Sequence, residues 1–187
     1  MALTALDPST ALIVVDLQKG IQSFPCVHPF ADVVAQARTL ADAFRACRLP
    51  VVLVNVDGGA PGRTEVVRRR GDFPSGWADL VPELNQQASD HVVKKRTWGA
   101  FTNTDLEAYL KARGVTQLVV AGVSTSAGVE STARHAYELG FNVTLAVNAM
   151  TDMSPEAHAN SITRIFPKLG ETGTTREIVD LLAARDA

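Results

Sequence analysis

The sequence predicts a single α/β domain in three layers, α/β/α, built on a doubly wound, Rossmann-like parallel sheet. Three observations lead there. Apolar runs at 11–15, 51–56, 117–121 and 142–147 are rich in β-branched residues and barely alternate with polar ones, as strands buried on both faces require. Helical patterns fill the intervals between most of these runs, and repeated strand-then-helix order implies parallel strands joined by right-handed crossovers. A chain of 187 residues, 46% hydrophobic and 20% charged, suits one core, so the domain is expected to span 1–187.

The first strand, 11–15, ends at Asp16, and Gly20, Pro25 and Pro29 break the loop that follows. Over 30–47, Val33, Ala37, Leu40 and Phe44 recur at three- and four-residue steps, which predicts an amphipathic helix. Pro50 resets the chain before the second strand, 51–56. Residues 57–80 are irregular and carry Gly58, Gly59, Pro61, Gly62, the basic cluster Arg68-Arg69-Arg70 and Pro74. A loop this long is expected to be functional or an oligomer contact, and the basic cluster reads as a solvated face rather than a phosphate site.

A third short strand is expected at 91–94. Thr104 and Glu107 have capping-box spacing, predicting a helix over 104–113 that stops at Gly114. The fourth strand, 117–121, leads through 122–127 into a helix that runs to Leu139 and closes at Gly140. After the fifth strand, 142–147, Ser154 is placed to cap a helix with Pro155 at its first position. A short strand is read around 170–172. Thr174 and Glu177 form a second capping-box pair, opening a last helix that reaches Ala184.

Charge and composition exclude several classes of function. Lys plus Arg number 18 against 20 Asp plus Glu, a net charge of -2, without the basic excess of a nucleic-acid binder. No apolar run reaches the roughly 18 residues of a membrane span, and residues 1–7 lack the order of a signal peptide. Two cysteines, Cys26 and Cys47, are too few for a disulfide framework or a thiolate zinc site. The expectation is a cytoplasmic, metal-independent protein with no cofactor, no nucleic-acid partner and no membrane partner.

In a doubly wound sheet, ligands sit at the carboxyl ends of the strands. That rule nominates Asp16, Asp57, Lys95 and the segment 122–128. No Gly-x-Gly-x-x-Gly turn follows a strand, so a dinucleotide site is rejected. Gly122-Val123-Ser124-Thr125-Ser126 approaches a nucleophile elbow, with Asp152 and His158 following in triad order. Its closing glycine is replaced by Ser126, so the favoured reading is a polar turn capping the next helix, with Asp152 and His158 opening another. His28, His91, His135 and His158 show no metal-ligand spacing. Asp16 and Lys95 are read as opposite charges at the tips of adjacent central strands, a structural ion pair or a tuned acid and base.

Three segments carry a wider likeness. They are Val15-Asp16-Leu17-Gln18-Lys19-Gly20, Lys95-Arg96-Thr97-Trp98-Gly99-Ala100-Phe101, and the stretch from Gly122 through Gly128-Val129-Glu130-Ser131-Thr132-Ala133-Arg134. With their order and spacing, the chain resembles the isochorismatase-like hydrolase superfamily, the cysteine hydrolases, from about Thr10 to Leu182. The resemblance implies a catalytic Asp at Asp16 and a catalytic Lys at Lys95. It places the family's nucleophilic cysteine at Gly128, which has no side chain, so thiol chemistry is excluded at that position. The Asp-x-His metal motif of nicotinamidases would fall on Asp57-Gly58-Gly59-Ala60, which lacks the histidine.

Isochorismatases, which hydrolyse a vinyl ether, resemble this chain in keeping the Asp and Lys and dispensing with the thiol. The expected cleft is formed by Asp16, Gln18, Lys95 and the 122–128 turn, with Thr125 against the substrate. Phe24, Trp98 and Phe101 are its expected apolar walls. The backbone amides of Ser124 and Gly128 would form an anion or oxyanion site. The expected activity is thiol-independent hydrolysis of a small organic acid, vinyl ether or amide by a homo-oligomer, dimer or tetramer. A catalytically silent binding or assembly subunit, or an engineered Cys-to-Gly inactive variant, stands as the alternative.

Overall fold

The structure is a computed structural model that describes residues 3–65 and 73–185; the basic cluster at 68–70 lies outside them. Six parallel strands form one sheet in the order β3-β2-β1-β4-β5-β6. They are β1 (Thr10–Val15), β2 (Val51–Val56), β3 (His91–Lys95), β4 (Gln117–Val123), β5 (Asn142–Thr151) and β6 (Glu171–Gly173). The helices are α1 (Phe30–Ala46), α2 (Leu106–Ala112), α3 (Glu130–Glu138), α4 (Pro155–Asn160), α5 (Phe166–Leu169) and α6 (Thr175–Ala183).

Strand alternation distributes the core between two layers. Ala11, Ile13 and Val15 of β1 face one side with Val120 of β4, packing with Leu106 and Leu110 of α2, Ala133 of α3 and Phe166 of α5. Leu12 and Val14 face the other side with Ala37, Leu40 and Phe44 of α1 and Ile178 and Leu182 of α6. Both faces of the central strands are therefore dry, which is why their sequences read as unbroken apolar runs.

The helix starts marked in the sequence are capped to different degrees. Thr174 accepts from the Glu177 amide while the Glu177 side chain returns to the Thr174 amide, completing the expected capping box of α6. Ser154 caps α4 through the Ala157 amide, with Pro155 first in the helix. Thr104 closes no capping box at α2, although its hydroxyl oxygen accepts from the Leu106 amide at a long 3.4 Å. Its hydroxyl donates to the Ala100 carbonyl, the helix begins at Leu106, and the Glu107 carboxylate takes Lys111 one turn on. The π-helical turn Ser161–Ile165 separates α4 from α5, which has Pro167 in its first turn, where the sequence marked only one helix start.

The sheet order reverses between β1 and β4. Connections leave β1 and β4 toward opposite edges, opening a crevice above their carboxyl ends. Asp16 stands at the end of β1 and the 124–128 turn at the end of β4, so both flank that switch point.

Candidate active site

At the end of β1 the backbone turns sharply: Asp16 has φ 55, a left-handed conformation that Asp tolerates better than most residues. The Asp16 amide donates to the Val54 carbonyl of β2, and the side chain is left facing the crevice. Lys95 reaches it from the far side of β2. The expectation of adjacent central strands needs correcting, because β3 is an edge strand and β2 lies between it and β1. Two strand spacings are about 10 Å, a gap that only a long side chain closes.

Lys95 does close it. Its Nζ donates to Asp16 Oδ2 at 2.7 Å, to the Thr97 carbonyl at 3.1 Å and to the Trp98 carbonyl at 2.7 Å. An ammonium has three N–H donors, and these three acceptors use all of them. Lys95 is 2% exposed and Asp16 5%, so the pair is inside the protein. The lysine thus fixes one oxygen of the carboxyl group and folds the 97–98 loop around itself. Asp16 Oδ1 is buried and has no hydrogen-bond partner among the described residues.

Burial pushes the Asp16 pKa up to about 6, with the charge and hydrogen bond of Lys95 acting against the rise. Because this folded value lies above the ordinary one, the Asp16 contribution to stability is full below about pH 4 and is lost as pH rises through about 6. Lys95→Met removes both lowering influences, so the Asp16 carboxyl is expected to titrate higher still. Carbon-13 NMR of labelled aspartate checks this, and an unchanged or lower midpoint would show that Lys95 does not govern the group.

The third member of the constellation is the turn after β4. Gly122 (φ 119) lies opposite Val15 in register, the Val123–Ser124 peptide is cis, and a π-helical turn, Thr125–Val129, runs into α3. A Cβ on Gly128 would stand 3.2 Å from Asp16 Oδ2, 3.0 Å from Val15 Cγ1 and 3.1 Å from the Val123 carbonyl oxygen. Gly128 is therefore the point at which the turn approaches the carboxyl group, and a side chain there would press on it. Ser124 and Gly128, whose amides were nominated for an anion, stand at either end of this turn; the Ser124 carbonyl accepts from the Ala127 and Val129 amides.

Two of the expected substrate contacts lie elsewhere. Gln18 is fully buried and holds backbone: its amide group donates to the Val56 and Trp77 carbonyls and its oxygen accepts from the Val56 amide. It fastens the loop after β1 to the end of β2. Phe101 belongs to the core layer, its ring packed against His135 and Phe141. Phe24 and Trp98, by contrast, are 43% and 56% exposed. Thr125 is wholly buried, and its hydroxyl pairs with His158 Nδ1 at 2.8 Å.

That contact shows what the sequence reading missed. Asp152 and His158 are not merely the opening of a helix; both converge on the turn. Asp152 Oδ2 accepts from the Ser126 amide at 2.7 Å and its hydroxyl at 2.8 Å. The arrangement is no serine triad, since the Ser124 hydroxyl points to Met153 Sδ and the histidine engages Thr125. The available signal was position, for both residues follow the carboxyl end of β5, beside β4.

Cys26 also lies nearer the site than its place in the sequence implied. The Val27 amide donates to the Asp152 carbonyl, and burial followed by the Asp152 charge pushes the Cys26 thiol pKa up. Cys47 ends α1, ahead of β2. Asp57 faces Lys94 and Arg96, each at 3.8 Å. Among the described residues, no three His, Cys, Asp or Glu side chains are grouped to hold a metal ion, and no helix is long and apolar enough to cross a membrane.

Comparison with known proteins places the chain in a family. The isochorismatase domain family matches residues 10–177. The chain is 43% identical over 183 residues to the uncharacterised isochorismatase family protein YecD of Escherichia coli O157:H7, covering 93% of this chain and 96% of that one. It is 31% identical to the ureidoacrylate amidohydrolase RutB of Variovorax paradoxus, over 84% of this chain and 73% of the relative. A solved isochorismatase family structure from Burkholderia thailandensis superposes with a TM-score of 0.93 at 40% identity, covering 96% of this chain and 98% of that one.

Proposed function

The chain belongs to the isochorismatase family of hydrolases, and we propose that it hydrolyses a small organic molecule through Asp16, positioned by Lys95, with no cysteine nucleophile. One observation carries this reading. A buried carboxyl group, raised to about 6, has Oδ2 tied to Lys95 with Gly128 beside that same oxygen, and Oδ1 without a hydrogen-bond partner among the described residues. Such a group holds a useful fraction of its protons near neutral pH and has a free oxygen from which to deliver them.

In this reading protonated Asp16 is the general acid. On a vinyl ether, the proton goes from Asp16 to the terminal enol-ether carbon, water adds to the resulting oxocarbenium carbon and returns a proton to the Asp16 carboxylate, and the hemiketal then breaks its C–O bond to release the alcohol and the carbonyl compound. On an amide, water adds to the carbonyl carbon, the Asp16 proton goes to the departing nitrogen as the C–N bond breaks, and the added water gives a proton back to the Asp16 carboxylate. Lys95 touches no substrate in either case, because its three donors are committed. It holds Asp16 in place and keeps its proton affinity from climbing further. RutB, by its name, opens an amide, which makes amides of small acids a substrate class to test beside vinyl ethers.

The raised thiol pKa of Cys26 supports the thiol-independent route, since a thiol protonated at neutral pH is a weak nucleophile. Iodoacetamide is therefore expected to leave most of the turnover intact. Peptide mapping that ties complete, stoichiometric inactivation to one alkylated cysteine would overturn the proposal. Turnover itself is tested by presenting vinyl ethers, amides and small esters to the protein between about pH 5 and 8. A general acid titrating near 6 predicts a rate that falls as pH rises above that value.

A further inference from the structure

The polar cluster under the turn does more than fill space. His158, on α4, is 8% exposed, and its Nδ1 meets the fully buried Thr125 hydroxyl. The groups facing it come from two other elements: the His28 ring from the loop before α1, edge-on at 4.9 Å between centroids, and Asp152 from the end of β5. Asp152 holds Ser126, and Thr151 is hydrogen-bonded to the His28 backbone. Thr125, Ser126 and the loop carrying His28 thus all converge on the α4 histidine and the end of β5.

A hydroxyl serves either partner in a hydrogen bond, but an imidazole nitrogen does not. Neutral imidazole with its proton on Nε2 accepts at Nδ1; imidazolium only donates there. With the neutral proton on Nε2, protonating His158 obliges the Thr125 O–H to turn away from the ring and the hydroxyl oxygen to accept from Nδ1. The hydroxyl is buried, so no solvent stands ready to absorb the change. The new charge also confronts His28. Burial first, then His28, hold the His158 pKa below the ordinary histidine value, with Asp152 opposing them. The change accordingly falls on the acid side of the usual imidazole range.

We propose that His158 is a positioning residue whose protonation state sets the orientation of Thr125 and, through it, the geometry of the 124–128 turn beside Asp16. The proposal deepens the functional reading and rests on it for catalytic consequence, since the turn matters to turnover only if Asp16 does the chemistry. Neutral His158 holds the working geometry. Turnover would then fall on both sides of an optimum, with the acid limb belonging to His158 and the alkaline limb to Asp16.

The test reads the turn directly, without substrate. Nitrogen-15 amide shifts of Thr125, Ser126 and Gly128 are followed against pH in a protein with carbon-13-labelled histidine rings. The expected result is a step in the turn amides with the same midpoint as the His158 ring. In His158→Asn, whose side-chain amide stands where Nδ1 does, that step is lost while the titration of Asp16 persists. Thr125→Val should uncouple ring from turn, leaving the ring titrating and the amides without that step. Turn amides that ignore the His158 midpoint in the parent protein, or a step that survives in His158→Asn, would overturn the assignment. If the parent turns over a substrate, His158→Asn is expected to flatten the acid limb of kcat with KM little changed; an acid limb unaltered by the substitution counts against the proposal. A parent without turnover sinks the hydrolase reading and leaves the shift comparison to decide the role of His158.

Discussion

Asp16→Asn is expected to lower turnover roughly 10²–10⁴-fold while changing ligand affinity far less. The substitution nearly preserves the shape of the group, and its amide oxygen still accepts from Lys95 Nζ. What it lacks is a proton to deliver from the oxygen that now stands unpartnered. Steady-state kinetics and isothermal titration with the same compound separate the two effects, and far-ultraviolet circular dichroism confirms that the variant is folded. A silent binding protein gives a different outcome: no turnover in the parent, and only an affinity change in the variant. A variant that turns substrate over at the parental rate would remove Asp16 from the mechanism.

Gly122→Ala is expected to be the most damaging small change to the fold, at about 3 kcal/mol or more by urea denaturation. Gly122 pairs with Val15 between the two central strands, with φ 119. A Cβ there would fall 2.0 Å from the Val15 carbonyl oxygen and 2.7 Å from the Val15 amide nitrogen. Neither is the end of a flexible side chain, so β1 and β4 would have to separate directly beneath Asp16. Gly114→Ala supplies the control. It shares a positive φ of 63 but has open space around the missing Cβ, so only the backbone penalty of about 1–2 kcal/mol applies. Equal losses at the two positions would show that the strand contact is not what requires glycine at 122.

The fold was legible because its signals are local. Leu12 and Ile13 face opposite layers yet are both fully buried, which leaves an unbroken apolar run in the sequence. Thr174 and Glu177 satisfy each other within one turn of chain, so their spacing alone identifies the start of α6. Thr104 and Glu107 have the same spacing and fail. The Ala100 carbonyl lies within reach of the threonine hydroxyl, and a nearby Lys111 within reach of the glutamate. Spacing does not weigh such competitors.

The site was legible as a set of strand ends and illegible as a geometry. Asp16 and Lys95 were paired correctly, but sequence contains no record that β2 lies between their strands. Gln18 and Phe101 were drawn toward the cleft because they sit inside the segments that carry the family likeness. In the structure one secures β2 and the other packs in the core. Asp152 and His158 went the other way. Their order hinted at a triad the chain does not build, and only the convergence of β4 and β5 shows that they brace the turn.

The central claim is hydrolysis through Asp16 with no thiol in the reaction, and the most direct measurement is the turnover of a Cys26→Ser/Cys47→Ser protein beside its parent. Both are given the same vinyl ethers, amides and small esters near pH 6. The prediction is that the parent converts at least one of these compounds and that the cysteine-free chain converts it at nearly the same rate. Conversion by the parent that disappears with the cysteines, or a compound that binds the parent and is never converted, would contradict it.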